Sequence, residues 1–387
     1  MSATRTIVCV VGTRPNFMKA IPVVSALAAR PQEFGSVLVH TGQHYDEKMS
    51  QVFLDELGIG PPDHLLCVGS GSHAEQAAKV MTRLEPLLEA LRPDLVLVPG
   101  DVNSTMAAAL VASKLRIPIG HIEAGLRSFD RAMPEEINRI VTDALSDLLF
   151  THSPEAAGHL MREGRSPLDI YAVGNTMIDT LVGMRDHFMA SDAVARIGVE
   201  AGKYVVVTLH RPALVDGPLL ADVVTELASL AEQIPVVLPA HPRTRAAIAT
   251  RGLDLGRVLL LDPLGYIDFL ALVARAAGVL TDSGGIQEET TYLGIPCFTL
   301  RANTERPITC EVGTNVLLGL DPGGIAAIPQ ELERREGTDA LVPDGWDGRA
   351  SERLVGVLAS RSMPNTVLGR LENAPCAPAV SSVSIVP

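Results

Sequence analysis

Short apolar runs recur along the chain, separated by longer stretches in which apolar positions return at helical spacing. In the first half the runs are Ile7–Val11, Val37–His40, Leu95–Val98, Ile117–Ile122 and Leu148–Thr151. They are almost continuously apolar, as strands covered on both faces are. Ala74–Leu91 and Ser104–Lys114 are long enough for the covering helices. This is the β-α-β rhythm of a parallel sheet. It restarts after about Asp179, with runs at Tyr204–Leu209, Val236–Pro239, Val258–Leu261, Val279–Thr281 and Cys297–Leu300, and helices at Leu219–Gln233 and Ile267–Ala277.

The pattern predicts an α/β protein of two doubly wound, Rossmann-like domains. The second half shows no clear sequence similarity to the first, so they read as two units in series. The expected division is 1–178 and 179–350, with the boundary inside Gly174–Ala190. A helical segment over 351–372 is expected to pack back across the domains, broken or kinked at Pro364. Residues 373–387 carry no charged side chain and read as a disordered tail.

In open parallel sheets, ligands bind beyond the carboxyl ends of the strands. Polar residues gather at those ends here. The first run leads into Gly12-Thr13-Arg14-Pro15-Asn16-Phe17-Met18-Lys19, where a turn and two cations can hold a diphosphate. It is neither GxGxxG nor a Walker A loop, and an exposed turn with solvated cations explains it equally well. Asp101 follows the third run, where Asp101 or Ser104 can also serve as a helix cap. Glu123 follows the fourth, and Glu135 and Glu136 stand in a helix start at Pro134. A dipole partner accounts for one of those two glutamates. Three neighbouring segments that each supply a carboxylate point further, to acid–base work in a cleft.

His210 and His241 end runs in the second half; His210 can contact a phosphate or move a proton, whereas His241 reads as a hydrogen-bonded core histidine. Thr281-Asp282-Ser283-Gly284-Gly285-Ile286-Gln287-Glu288-Glu289 is the most specific segment. Glycines permit close backbone approach to a phosphate, and the following helix start offers free N–H groups. Glu289 can accept from ribose hydroxyls, and Arg306 adds a cation.

Composition narrows the classes. The formal net charge is −13, and no Lys/Arg run supplies the basic face of a nucleic-acid binder. No uncharged apolar run reaches membrane-spanning length, and the N-terminus lacks a signal-peptide core. The five cysteines form no CxxC pair, so neither a disulfide framework nor a zinc site is indicated. Cys9 and Cys297 read as buried thiols, which fits a reducing, cytoplasmic setting. No metal cluster and no cofactor are expected.

Taken together, GTRPNFMK, TGQHYD, PGDVNST, HIEAGLRS, PEEINR, VGNTMID, TLHRP, TDSGGIQEE and TERP, in that order from about Ile7 to Gly319, resemble the non-hydrolysing UDP-N-acetylglucosamine 2-epimerases. The resemblance implies a glycosyltransferase B-like fold, a UDP-sugar partner and a homodimer. It implies catalytic roles for Asp101, Glu123, Glu135 and His210. It places Arg14, Lys19 and Arg306 near the nucleotide sugar, and Ser283, Gly284, Gly285 and Glu289 at the diphosphate and ribose. Phe269 falls where the family sets an aromatic against uracil, with Leu264 beside it. Three departures stand out. Asn16 replaces a frequent Glu, Ala213-Leu214 replaces a frequent Glu-Asn, and Gln43-His44-Tyr45-Asp46 differs from the form linked to activation by substrate. The implied reaction is reversible C2 epimerisation through elimination and re-addition of UDP. Rival readings are epimerisation of another UDP-sugar such as a diacetamido uronic acid, a hydrolysing epimerase, a glycosyltransferase and a non-catalytic UDP-sugar sensor.

Overall fold

The computed structural model describes residues 4–42, 60–335 and 341–361. The first sheet has β1 (Arg5–Val11), β2 (Phe34–His40), β3 (His64–Leu65), β4 (Leu95–Pro99), β5 (Ile119–Ile122), β6 (Leu148–Thr151) and β7 (Ile170–Ala172). Their order is β3-β2-β1-β4-β5-β6-β7. The second has β8 (Val205–Thr208), β9 (Val236–Pro239), β10 (Leu259–Leu261), β11 (Gly278–Thr281), β12 (Cys297–Thr299) and β13 (Asn315–Leu317), ordered β10-β9-β8-β11-β12-β13. Pairing is parallel in both. The order reverses between β1 and β4, and again between β8 and β11. Those two switch points open the crevices where such sheets bind ligands.

The ten expected strands are present, most within two residues of their predicted bounds. Three more, β3, β7 and β13, were not foreseen. Each is two or three residues long at or near a sheet edge, where half-exposed positions leave little apolar signal. Helices His73–Leu91 and Asn103–Lys114 match expectation, whereas Leu219–Leu230 and Tyr266–Val273 stop short of theirs.

β1 and β4 are buried throughout Ile7–Val11 and Leu95–Pro99, which explains their unbroken apolar runs. Cys9 and Cys297 are buried, and burial pushes each thiol up to about 12. The helix Ala350–Ser360 lies against the first half, although it follows the second in sequence. Leu354 and Leu358 join one core with Leu27, Ile178 and Trp346. Each such burial stabilises by ~1.5–3 kcal/mol, more than the ~1 kcal/mol of the bond from Arg5 Nη1 to the Leu358 carbonyl (2.6 Å). Asp179 accepts from the Ala350 and Ser351 amides and fixes where this helix begins. Pro364, Cys376, the expected tail and Gln43–Asp46 lie outside the described residues. No helix among the described residues is long and apolar enough to cross a membrane.

Candidate active site

The strand ends of the first half are tied together by side chains. Asn16 is buried, and its Oδ1 accepts from the Gly12 and Thr13 amides while its Nδ2 donates to the Pro99 carbonyl (2.8 Å). It therefore staples the loop after β1 to the loop after β4. A glutamate could accept the first pair but could not donate to Pro99. Between β4 and β5, His121 Nε2 lies 2.8 Å from the Gly100 carbonyl and Nδ1 lies 2.6 Å from Asp143. The next strand end carries Glu123 with φ of 71°, in the left-handed region. That conformation costs a non-glycine residue about 1–2 kcal/mol, and the ion pairs of the side chain hold it.

Glu123 Oε2 meets Lys19 Nζ, and Glu123 Oε1 accepts from Arg306 Nη2 at 2.8 Å. Burial raises its carboxyl, but Lys19, Arg306 and His152 outweigh that and bring it down to about 2. Asp101 is fixed by Arg139 Nη1, and its carbonyl accepts from Asn138 Nδ2 at 2.9 Å. Neither Asp101 nor Ser104 caps the helix Asn103–Lys114. Val102 holds that position without a side-chain bond. In the helix Pro134–Leu145 the two glutamates divide their work. Glu136 accepts from the Ser128 and Phe129 amides and pairs with Arg139 at 2.7 Å. Glu135 borders the cleft.

In the second half His210 Nδ1 lies 2.8 Å from Asp282 Oδ1. Asp282 Oδ2 also accepts from the His210 and Arg211 amides. Buried Asp282 is thus the anchor that aims the half-exposed His210. Burial raises its carboxyl, and the His210 contact outweighs that to leave it below the usual range. His241 corrects the sequence reading. It is exposed, not in the core, and its Nδ1 caps the helix Pro242–Thr250 through the Arg243 amide (3.2 Å).

The Ser-Gly-Gly turn opens the helix Gly284–Leu293. The two glycines leave room for the ion-paired Arg306 guanidinium and for the flexible end of Met177. A Cβ on Gly284 would stand 2.5 Å from Arg306 Nη1, and one on Gly285 2.7 Å from Met177 Cε. The first-turn N–H groups of such a helix have no intrahelical partners and favour an anion. Glu289 accepts from Tyr266 Oη at 2.9 Å. Burial raises the Glu289 carboxyl to about 7, against the lowering effect of Tyr266 and Arg14. Arg306 sits among three carboxylates, with Nη2 on Glu123, Nε 3.1 Å from Glu288 and Nη1 2.6 Å from Glu305.

These groups surround a cavity of about 460 Å³ between the two sheets. Arg14, Lys19, Asp101, Glu135, His210, Leu264, Phe269, Ser283, Gly284, Gly285, Glu289 and Arg306 all border it. Glu123 is the exception among the expected residues. It stands behind Lys19 and Arg306, in a small void lined also by His152 and Asn175. Sequence reasoning missed Asp282, Arg139, Tyr266, Glu288 and His152. Asp282 and Glu288 were within reach, because they flank the residues chosen from TDSGGIQEE; nothing local marks His152 or Tyr266. Glu123, His152 and Glu288 bring ligand-type atoms within 4.8 Å of one another. The guanidinium of Arg306 already lies between the two carboxylates and supplies the cation there.

A family model for UDP-N-acetylglucosamine 2-epimerase matches residues 25–359. The chain belongs to the UDP-N-acetylglucosamine 2-epimerase family. It is therefore an isomerase with a glycosyltransferase B-like fold. A UDP-N-acetylglucosamine 2-epimerase of Methanococcus maripaludis is 41% identical over 82% of this chain and 88% of its own. A UDP-2,3-diacetamido-2,3-dideoxy-D-glucuronate 2-epimerase of Pseudomonas aeruginosa is 43% identical over 91% of this chain and 99% of its own. Among solved structures, the UDP-GlcNAc 2-epimerase of Methanocaldococcus jannaschii in complex with UDP-GlcNAc and UDP superposes with a TM-score of 0.84, at 37% identity, over 92% of this chain and 100% of that one.

Proposed function

We propose that the protein interconverts UDP-N-acetylglucosamine and UDP-N-acetylmannosamine by eliminating UDP and adding it back through a 2-acetamidoglucal. One observation carries this reading: Asp101 and Glu135 border the same cavity as the Ser283–Gly285 helix start. Proton-handling groups therefore share one cleft with a diphosphate cradle.

The C2 proton of the sugar is not acidic until C1 gains positive charge. Loss of UDP from C1 supplies that charge. The helix start at Gly284 and the side chains of Arg14 and His210 stabilise the diphosphate as it leaves. Glu289 holds the ribose, and Phe269 and Leu264 flank the base. Asp101 and Glu135 face the sugar and exchange its C2 proton. Glu123 acts from behind, by setting Lys19 and Arg306 in place. Closure of the two units, 1–178 against 179–350, keeps the glucal and UDP from water. Two copies form the working assembly.

A second reading rests on the Pseudomonas aeruginosa relative, whose identity is as high. Under it the sugar carries a second acetamido group and a carboxylate. Both readings share the C2 chemistry. The purified protein should convert UDP-N-acetylglucosamine to the manno epimer with UDP still attached, as followed by proton NMR. Conversion of the diacetamido uronate alone would transfer the assignment to that substrate. Release of free sugar and UDP would show a hydrolysing enzyme instead.

A further inference from the structure

Inversion at C2 takes a proton from one face of the sugar and returns one to the other, so two proton-handling groups are needed. Asp101 and Glu135 are part-exposed and exchange with solvent when the cleft is open. Lys19 borders the cleft too, but Lys19 and Glu123 are both buried. While the cleft is closed, a proton spent from that side has to be replaced from within the protein.

Two buried groups with unsatisfied polar atoms stand directly beneath. His152 Nε2 lies 3.4 Å from Glu288 Oε1, and both side chains are almost fully enclosed. Together with Glu123 they hold their polar atoms within 4.8 Å of one another. A purely structural pair would satisfy its polar atoms. Here Glu288 Oε2 and both ring nitrogens of His152 are buried without a hydrogen-bond partner. An ionised carboxylate with one bare oxygen is costly in such surroundings, and a neutral carboxyl is far less so.

We infer that the buried Glu288–His152 pair is the proton reserve for the Lys19–Glu123 side of the cleft. The inference rests on the epimerase reading above. In the re-addition step the UDP oxygen bonds to C1, the C1=C2 electron pair becomes the new C2–H bond, and the Lys19 ammonium gives up the proton. Glu288 then releases its proton through His152 to Glu123 and on to Lys19. Glu288 is left as a carboxylate, with Arg306 Nε at 3.1 Å and the Asn175 amide donating at 3.0 Å to hold the charge. When the cleft reopens, solvent reprotonates Lys19, which borders it, and the same path run backwards refills Glu288. Glu288 and His152 are positioning groups, since neither borders the cleft.

The groups facing Glu288 are Arg306, Glu123, Lys19 and His152. Burial, with Glu123 adding to it, raises the Glu288 carboxyl to about 7 against Arg306 and Lys19. Burial lowers the His152 imidazole to about 4 against the pull of Glu123. The proton of the pair is therefore carried by the carboxyl and not by the imidazole.

The test is Glu288→Gln in the full chain, which keeps the shape and an acceptor for Asn175. Turnover should fall on the order of 100-fold, with KM and the melting temperature near wild type. In the wild type kcat should fall as pH rises through about 7, and the variant should lose that limb. Wild-type kcat with the same pH profile in the variant would overturn the inference. A second readout does not use activity. The infrared spectrum at about pH 6, below both raised carboxyls, should show protonated-carboxyl absorption from Glu288 and Glu289, and Glu288→Gln should lose the Glu288 share of it. An unchanged band would also overturn the reserve. Inactivity of the wild type on UDP-N-acetylglucosamine would count against the proposed function alone, and the infrared result would still decide the reserve.

Discussion

Glu123 in the first half and Glu289 in the second are both buried carboxylates that follow strand ends, yet they are pushed in opposite directions. Glu123 has two cations in contact and is brought down to about 2. Glu289 has a phenol as its hydrogen-bond partner and rises to about 7. Burial is common to both, so the number of cations in contact decides the sign. The two sheets share one strand order, but Glu123 is a fixed charge, whereas Glu289 and Glu288 are poised to gain or lose a proton. The fold supplies the cleft, and the cation placement supplies the chemistry.

The largest way to break this contrast is Arg306→Met. It strips Glu123, Glu288 and Glu305 of their shared cation at once. Removing one partner of a buried ion pair costs about 3–5 kcal/mol, and three carboxylates are exposed to it here. Denaturant unfolding should show a loss of at least that size, with Lys19 left to hold Glu123. Asp101→Asn is next. It should cut turnover on the order of 100-fold or more while UDP binding by calorimetry is retained. Unchanged turnover would remove Asp101 from the proton path.

The sharpest comparison is the pH dependence of stability. The Glu123 contribution is present above its unfolded pKa of ~4.3 and is lost as pH falls towards about 2. The Glu289 contribution is present below ~4.3 and is lost as pH rises through about 7. Glu123→Gln should therefore destabilise most at neutral pH, and the difference should shrink in acid. Glu289→Gln should stabilise at pH above about 7 and have little effect in mild acid. Thermal melts across pH would read both, and the same sign for the two variants would defeat the account. Gly284→Ala is the smallest change. Its Cβ would press on Arg306 Nη1 at 2.5 Å, for a loss of about 1–3 kcal/mol and weaker UDP binding.

Much of this was legible in the chain because local pattern and tertiary role agree. Strands such as Leu95–Pro99 and Val236–Pro239 are apolar throughout since both faces are covered, and polar residues follow them since ligands bind at those ends. The edge strands β3 and β7 were not legible, because one or both faces meet water. His241 was misread because a strand-end histidine can face the core or cap a helix, and only the geometry of Arg243 separates the two. Glu123 was foreseen as part of the site, but its place behind Lys19 was not. That place depends on Arg306, 183 positions along the chain, which no local spacing encodes. His152 is silent in sequence for the same reason.

The central claim is that this cleft breaks and remakes the C2–H bond while UDP is detached and retained. Proton NMR of the wild-type protein with UDP-N-acetylglucosamine in deuterated water tests it most directly. The account predicts a manno epimer carrying deuterium at C2, with UDP attached in both epimers. A manno product that keeps its original C2 proton throughout, or no C2 exchange at all, would contradict it.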